Sequence, residues 1–143
     1  ETSQAGMVSE YAFTNDKLRD VVYTEAGDAR RRLFHRRALE VLEKSGESAA
    51  VLAHHALAAG LAQDAFCYSL AAGKEAIRLS ALSEAIVHFE HALQIVREAG
   101  PSKVLDEEDL RDLFIQLSRA YQLTGQMEKA IAIEAERGNN LLD

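Results

Sequence analysis

Small side chains recur at fixed spacing along this chain, and that recurrence restricts the fold more than any other feature. Leu117, Ser118, Tyr121, Gly125 and Ala130 set small residues on either side of a glycine. Two antiparallel helices that approach closely across a tight turn need that spacing. The register returns as Ala53, Ala56, Gly60, Ala65 and Ala72, and again as Gly73, Ala76, Ser80, Ala85, Phe89 and Ala92. One supersecondary unit used more than once predicts an all-α chain of stacked antiparallel helix pairs, built for interaction rather than catalysis.

Punctuation supports helices throughout. The only proline is Pro101, while Gly27, Gly46, Gly60, Gly100, Gly125 and Gly138 each follow an alanine-rich or amphipathic stretch and read as helix stops. Residues 1–46 form a linking segment of two helices. The first is capped by Asn15 or Asp16, buries Leu18, Val21, Val22 and Ala26, and closes at Gly27; the second runs from Asp28 to Ser45 on a stripe of Phe34, Ala38, Val41 and Leu42. Weak alternation over 8–13 is the one strand-like stretch. Residues 47–143 carry the repeats, with helices expected at 48–59, 62–79, 83–98, 107–124 and 127–138, a stop at Gly100 and Pro101, and a frayed tail from Asn139.

The 143 residues suffice for one domain with a core. The single cysteine, Cys67, excludes an internal disulfide, suits a cytoplasmic location, and reads as a small core residue. No apolar run reaches a membrane span, and the first residues do not form a signal peptide. Opening on Glu1 without a methionine, the chain is expected to be part of something longer. Residues 1–46 hold eight Lys or Arg against eight Asp or Glu, so the net charge of −7 comes from the repeats, which hold eight against fifteen. Such an acidic array does not favour nucleic acid as a partner.

The register resembles the tetratricopeptide repeat, with Leu117, Ser118, Tyr121, Gly125 and Ala130 at signature positions. That resemblance implies helix pairs stacked in a right-handed superhelical array. Glu134 and Arg137 stand where Phe and Ala are usual, which implies a solvent-facing last helix. The units begin 20 and then 45 residues apart instead of a steady ~34, so the 62–79 helix is shared between neighbours. A second resemblance is carried by Phe13 to Tyr23, by Ala29 to Ala38, and by Leu52-Ala53-His54-His55. These look like the segment that follows the nucleotide-binding module in bacterial STAND-type ATPases and LuxR-type transcription regulators. Asn15 takes a position where that family has His. The resemblance implies a role in signalling or transcription regulation, with an ATP-binding module upstream in the same protein.

No catalytic constellation is found, and no cofactor is expected. Gly73-Lys74-Glu75 lacks the upstream glycine of a phosphate-binding loop. Glu84, His88 and His91 have a spacing that metal ligands on a helix can use, but exposed histidines beside acids account for them. His55 shares the side of Leu52, Ala56 and Ala59 and is expected to pack, while His54 faces a groove. By register His54, Lys74, Arg78, Arg119 and Gln122 line that groove, which would take a protein or peptide. Arg30, Arg31, Arg32, Arg36 and Arg37 form a basic patch, read as a solvated face or a contact with an acidic neighbour. A homodimer, or nucleic-acid binding through Arg30–Arg37, is the alternative to a protein-binding scaffold.

Overall fold

The computed structural model describes residues 2–100 and 106–141, without the side chains of 2–16, 22, 23 and 141. The described residues form six helices: α1 (Thr2–Ser45), α2 (Ala49–Ala58), α3 (Ala62–Arg78), α4 (Leu82–Ala99), α5 (Glu107–Leu123) and α6 (Met127–Leu141). Each packs on the next, so the chain is a succession of antiparallel helix pairs. The five helices expected in the repeat region agree with α2 to α6 to within a residue or two at most ends. α3 packs against both α2 and α4, as every interior helix does with its chain neighbours.

Four of the turns use the same device. Gly46, Gly60, Ser80 and Gly125 take positive φ of 72°, 76°, 60° and 79°. In each case the next N–H returns to a carbonyl five residues back: Glu47 to Leu42, Leu61 to Ala56, Ala81 to Ala76 and Gln126 to Tyr121, at 2.8–3.2 Å. This is the Schellman closure, which satisfies carbonyls the helix end leaves open and reverses the chain within a few residues. Three of the turns lead to a buried alanine five residues on, Ala65, Ala85 and Ala130, at 0%, 0% and 2% exposure. Gly100 ends α4 with φ 82°. Pro101, expected to share in that stop, lies outside the described residues.

The linking segment departs from expectation. A single helix of 44 residues replaces the two helices and the strand-like stretch, with Gly27 inside it. One interior glycine costs about 1 kcal/mol, too little to break a helix whose neighbours all favour it. The stripe is displaced as well. Leu39 is the buried residue, flanked by half-buried His35, Ala38 and Leu42, whereas Phe34 and Val41 are 65% and 66% exposed. α2 has only 10 residues and covers only the last part of α1, so Leu18 and Val21 are also exposed. Gly138 likewise lies within a helix, α6, which continues through the tail expected to fray. Asn140 Nδ2 there donates to the Glu136 carbonyl at 2.9 Å. Cys67 is exposed rather than buried, because the inner face of α3 is set by Ala65, Phe66, Ser69, Leu70, Gly73 and Ala76.

Alternate helices are tied side to side. Tyr68 Oη on α3 donates to Glu43 Oε1 on α1 at 2.5 Å, Lys74 on α3 pairs with Asp112 on α5, and Arg97 on α4 makes a two-pronged contact with Glu136 on α6 at 2.9 and 2.7 Å. Phe66, Phe89 and Phe114, one each from α3, α4 and α5, fill the interior.

Ser80 is the only described non-glycine at positive φ, where an L side chain is strained by about 1–2 kcal/mol. It is exposed and stands where the equivalent turns use Gly60 and Gly125. Ser80→Gly relieves that strain at the cost of a looser unfolded chain. A net gain of about 0.5–1 kcal/mol is expected, read as a higher urea midpoint with unchanged slope; an unchanged or lower midpoint would refute the strain.

Candidate functional site

A cleft of about 730 Å³ lies beside α3 and the start of α5, lined by Lys74, Asp106, Glu107, Glu108, Asp109, Arg111, Asp112 and Ile115. The carboxylates collect there because helix starts favour anions: Glu107, Glu108 and Asp109 occupy the first turn of α5. Both cations in the cleft are engaged. Lys74 Nζ holds Asp112, and Arg111 Nη2 reaches Glu107 Oε1 at 3.0 Å. Asp106, Glu108 and Asp109 have no ion-pair partner among the described residues, so the cleft carries an excess of negative charge. It extends to α3, where burial first, then Asp109 and Asp64, push the Cys67 thiol above its ordinary range. Cys67 therefore stays a thiol at neutral pH.

Of the residues expected to line a groove, Lys74 alone lines this cleft. Arg78, one turn along α3, forks onto its own neighbour Glu75 at 2.5 and 2.9 Å. That contact lowers the Glu75 carboxyl and raises the guanidinium. Arg119 and Gln122 are exposed on α5, with Gln122 Nε2 donating to the buried Ser118 hydroxyl at 3.4 Å. His54 belongs elsewhere, in a cluster where α1 meets α2.

In that cluster the Nδ1 atoms of His35 and His55 lie 2.9 Å apart, and the His54 ring centre is 6.0 and 5.3 Å from those of His35 and His55. His55 packs in part, as expected from its side of α2. Sequence reasoning missed His35, although its spacing with Leu39 and Leu42 at four and seven residues marks the inner face of α1. Burial first, then His35 and His54, hold the His55 pKa below its ordinary value. Glu84, His88 and His91 remain a surface set, with His88 Nε2 at 3.7 Å from Glu84 Oε1. Among the described residues no group of three His, Cys, Asp or Glu is arranged to hold a metal.

The basic patch keeps most of its charge unpaired. Arg31 approaches Asp28 at 3.6 Å, while Arg30, Arg32, Arg36 and Arg37 have no ion pair among the described residues. Arg37 lines a shallow apolar hollow with Phe34, Ala38, Val41 and Leu42. A further hollow lies where α4, α5 and α6 meet. Tyr121 Oη donates there to Glu90 Oε1 at 2.6 Å, and the Lys129 ammonium sits 5.6 Å from the ring centre. Burial and then the Glu90 hydrogen bond raise the Tyr121 pKa well above its ordinary value. The Tyr68 hydroxyl is pushed up to about 12, first by its bond to Glu43 and then by burial. Both tyrosines therefore remain protonated donors at physiological pH.

The chain is similar to an uncharacterised protein of Rhizobium meliloti (strain 1021), with 32% identity over 97 residues. The match covers 64% of this chain and 9% of that much longer protein. No family model matches the chain, and no solved structure matches it. No helix of the described residues is long and apolar enough to cross a membrane.

The lowered pKa of His55 predicts a pH-dependent stability. Because the folded state lowers the His55 pKa, the unfolded chain takes up the proton first. Stability is complete above about pH 6.5, the ordinary histidine value, and falls as pH drops below it towards the folded pKa. Thermal midpoints at pH 8 and pH 5.5 should therefore differ more for the native chain than for His55→Gln. Equal pH sensitivity in the two would rule out the pair as the source.

Proposed function

We infer that this chain is a protein-binding scaffold of tetratricopeptide-like repeats, stacked as a right-handed superhelical array and serving as the sensor arm of a multidomain bacterial signalling ATPase or transcription regulator. The observation that carries the reading is the α3–α5 cleft. It is broad and open, its cations are already neutralised, and three of its carboxylates await a partner. Such a surface suits an extended or helical segment rich in Lys and Arg, with Ile115 offering apolar contact. Lys74 and Asp112 pair across the two helices that form its walls.

Two further observations support the wider setting. The Rhizobium meliloti protein is far longer than the segment matched, which agrees with a module inside a large polypeptide. The part of α1 that precedes its contact with α2, where Leu18 and Val21 are exposed, would serve as the lever that couples partner binding to an upstream ATP-binding module. Coupling of that kind needs two states of different affinity. The cleft itself binds without chemistry, and no cofactor enters the proposal.

A Lys/Leu peptide with Leu at i, i+3, i+4 and i+7 and Lys on the opposite helix face is a direct probe, titrated calorimetrically into the whole chain. Micromolar binding that weakens with added salt and drops roughly tenfold or more in Glu108→Lys is the expected result. Absence of binding at low salt, or equal binding by Glu108→Lys, would reject the cleft as the recognition surface.

A further inference from the structure

The face of α1 turned away from α2 has an unusual pattern. Arg30, Phe34, Arg37 and Val41 follow one another at intervals of four, three and four residues, the seam spacing of a helix that packs along another helix. Phe34 and Val41 are 65% and 66% exposed, and they line a hollow with Arg37 and the half-buried Ala38 and Leu42. A seam that alternates cation and apolar side chain needs a cover that alternates anion and apolar side chain. Phosphates would satisfy Arg30 and Arg37 but leave Phe34 and Val41 against charge.

A matching surface exists on this same chain. The start of α5 presents Glu108 and Asp109, free of ion pairs among the described residues, with Ile115 46% exposed beyond them. Within one copy the two surfaces cannot meet, because α3 lies between α1 and α5 and is tied to each, through Tyr68–Glu43 and Lys74–Asp112. The contact is available only between molecules.

We propose that the chain self-associates, the Phe34–Val41 seam of α1 in one copy docking on the acidic opening of α5 in a second. This rests on the reading of the α3–α5 cleft as a protein-binding surface and names its occupant. The contact joins two different patches, and when each copy gives its seam to the other the pair closes as a two-fold, isologous dimer.

Sedimentation velocity over a range of concentrations, at low and at high salt, tests it. The expected result is a concentration-dependent dimer that weakens with salt. Arg37→Glu and Glu108→Lys should each weaken it by roughly tenfold or more, with unchanged helical circular dichroism because both residues are exposed. An equimolar mixture of the two variants should recover association, since the reversed charges then face each other. A monomer at every concentration in low salt, dimerisation indifferent to Arg37→Glu, or a failed recovery in the mixture would each overturn the proposal. Should the chain stay monomeric while the Lys/Leu peptide still binds, self-association falls and the scaffold reading stands; should neither associate, both fall.

Discussion

The structure depends on the close approach of α3 and α4 at Gly73. A Cβ at that position would lie 2.3 Å from Cε1 of Phe89, and Phe89 is fully buried. Gly73 is helical with ordinary φ, so its role is the space left by a missing side chain, not backbone freedom. With that space open, the Phe89 ring comes close to the α3 backbone, and Ala76, Ala85 and Ala92 on the two helices are buried in the same core. Burying such a ring contributes about 1.5–3 kcal/mol, and adding even one methyl group beneath it forces atoms in a close-packed interior to move.

From that contact the remaining architecture follows. Helices held this close must be joined by very short turns, and the repeated Schellman closure supplies them, at Ser80 even where the residue is strained. Once α3 is pinned to α4, its outer flank is fixed, and Tyr68 and Lys74 reach α1 and α5 respectively. The cleft exists because α5 begins beside α3 with its acidic first turn turned outward. Interior contacts thus decide where the surface charges stand, and the surface charges decide what the molecule can hold.

The repeat region was legible because a small residue at a helix crossing has few alternatives, so spacing alone exposed α2 to α6 and their turns. The linking segment was not. Gly27 carries the same letter as Gly60 and Gly125, but only those two have a neighbouring helix that rewards a reversal. The Phe34–Val41 stripe satisfied helical periodicity yet lies outward, since periodicity gives the presence of an apolar face and not the identity of what covers it. Cys67 misled for the same reason. Lys74, placed on a groove by register, lines the α3–α5 cleft, whereas His35 and the acidic start of α5 emerged only when chain segments far apart in sequence were brought together.

The claim that binds these observations is that Gly73 is required by Phe89. Urea unfolding of the native chain, Gly73→Ala, Phe89→Leu and the double variant measures the coupling between the two positions directly. Gly73→Ala alone should cost about 1–3 kcal/mol despite alanine's better helix propensity, and in the Phe89→Leu background most of that cost should vanish, leaving a coupling of about 1 kcal/mol or more. Strictly additive effects, or a stabilising Gly73→Ala in the native background, would contradict the account.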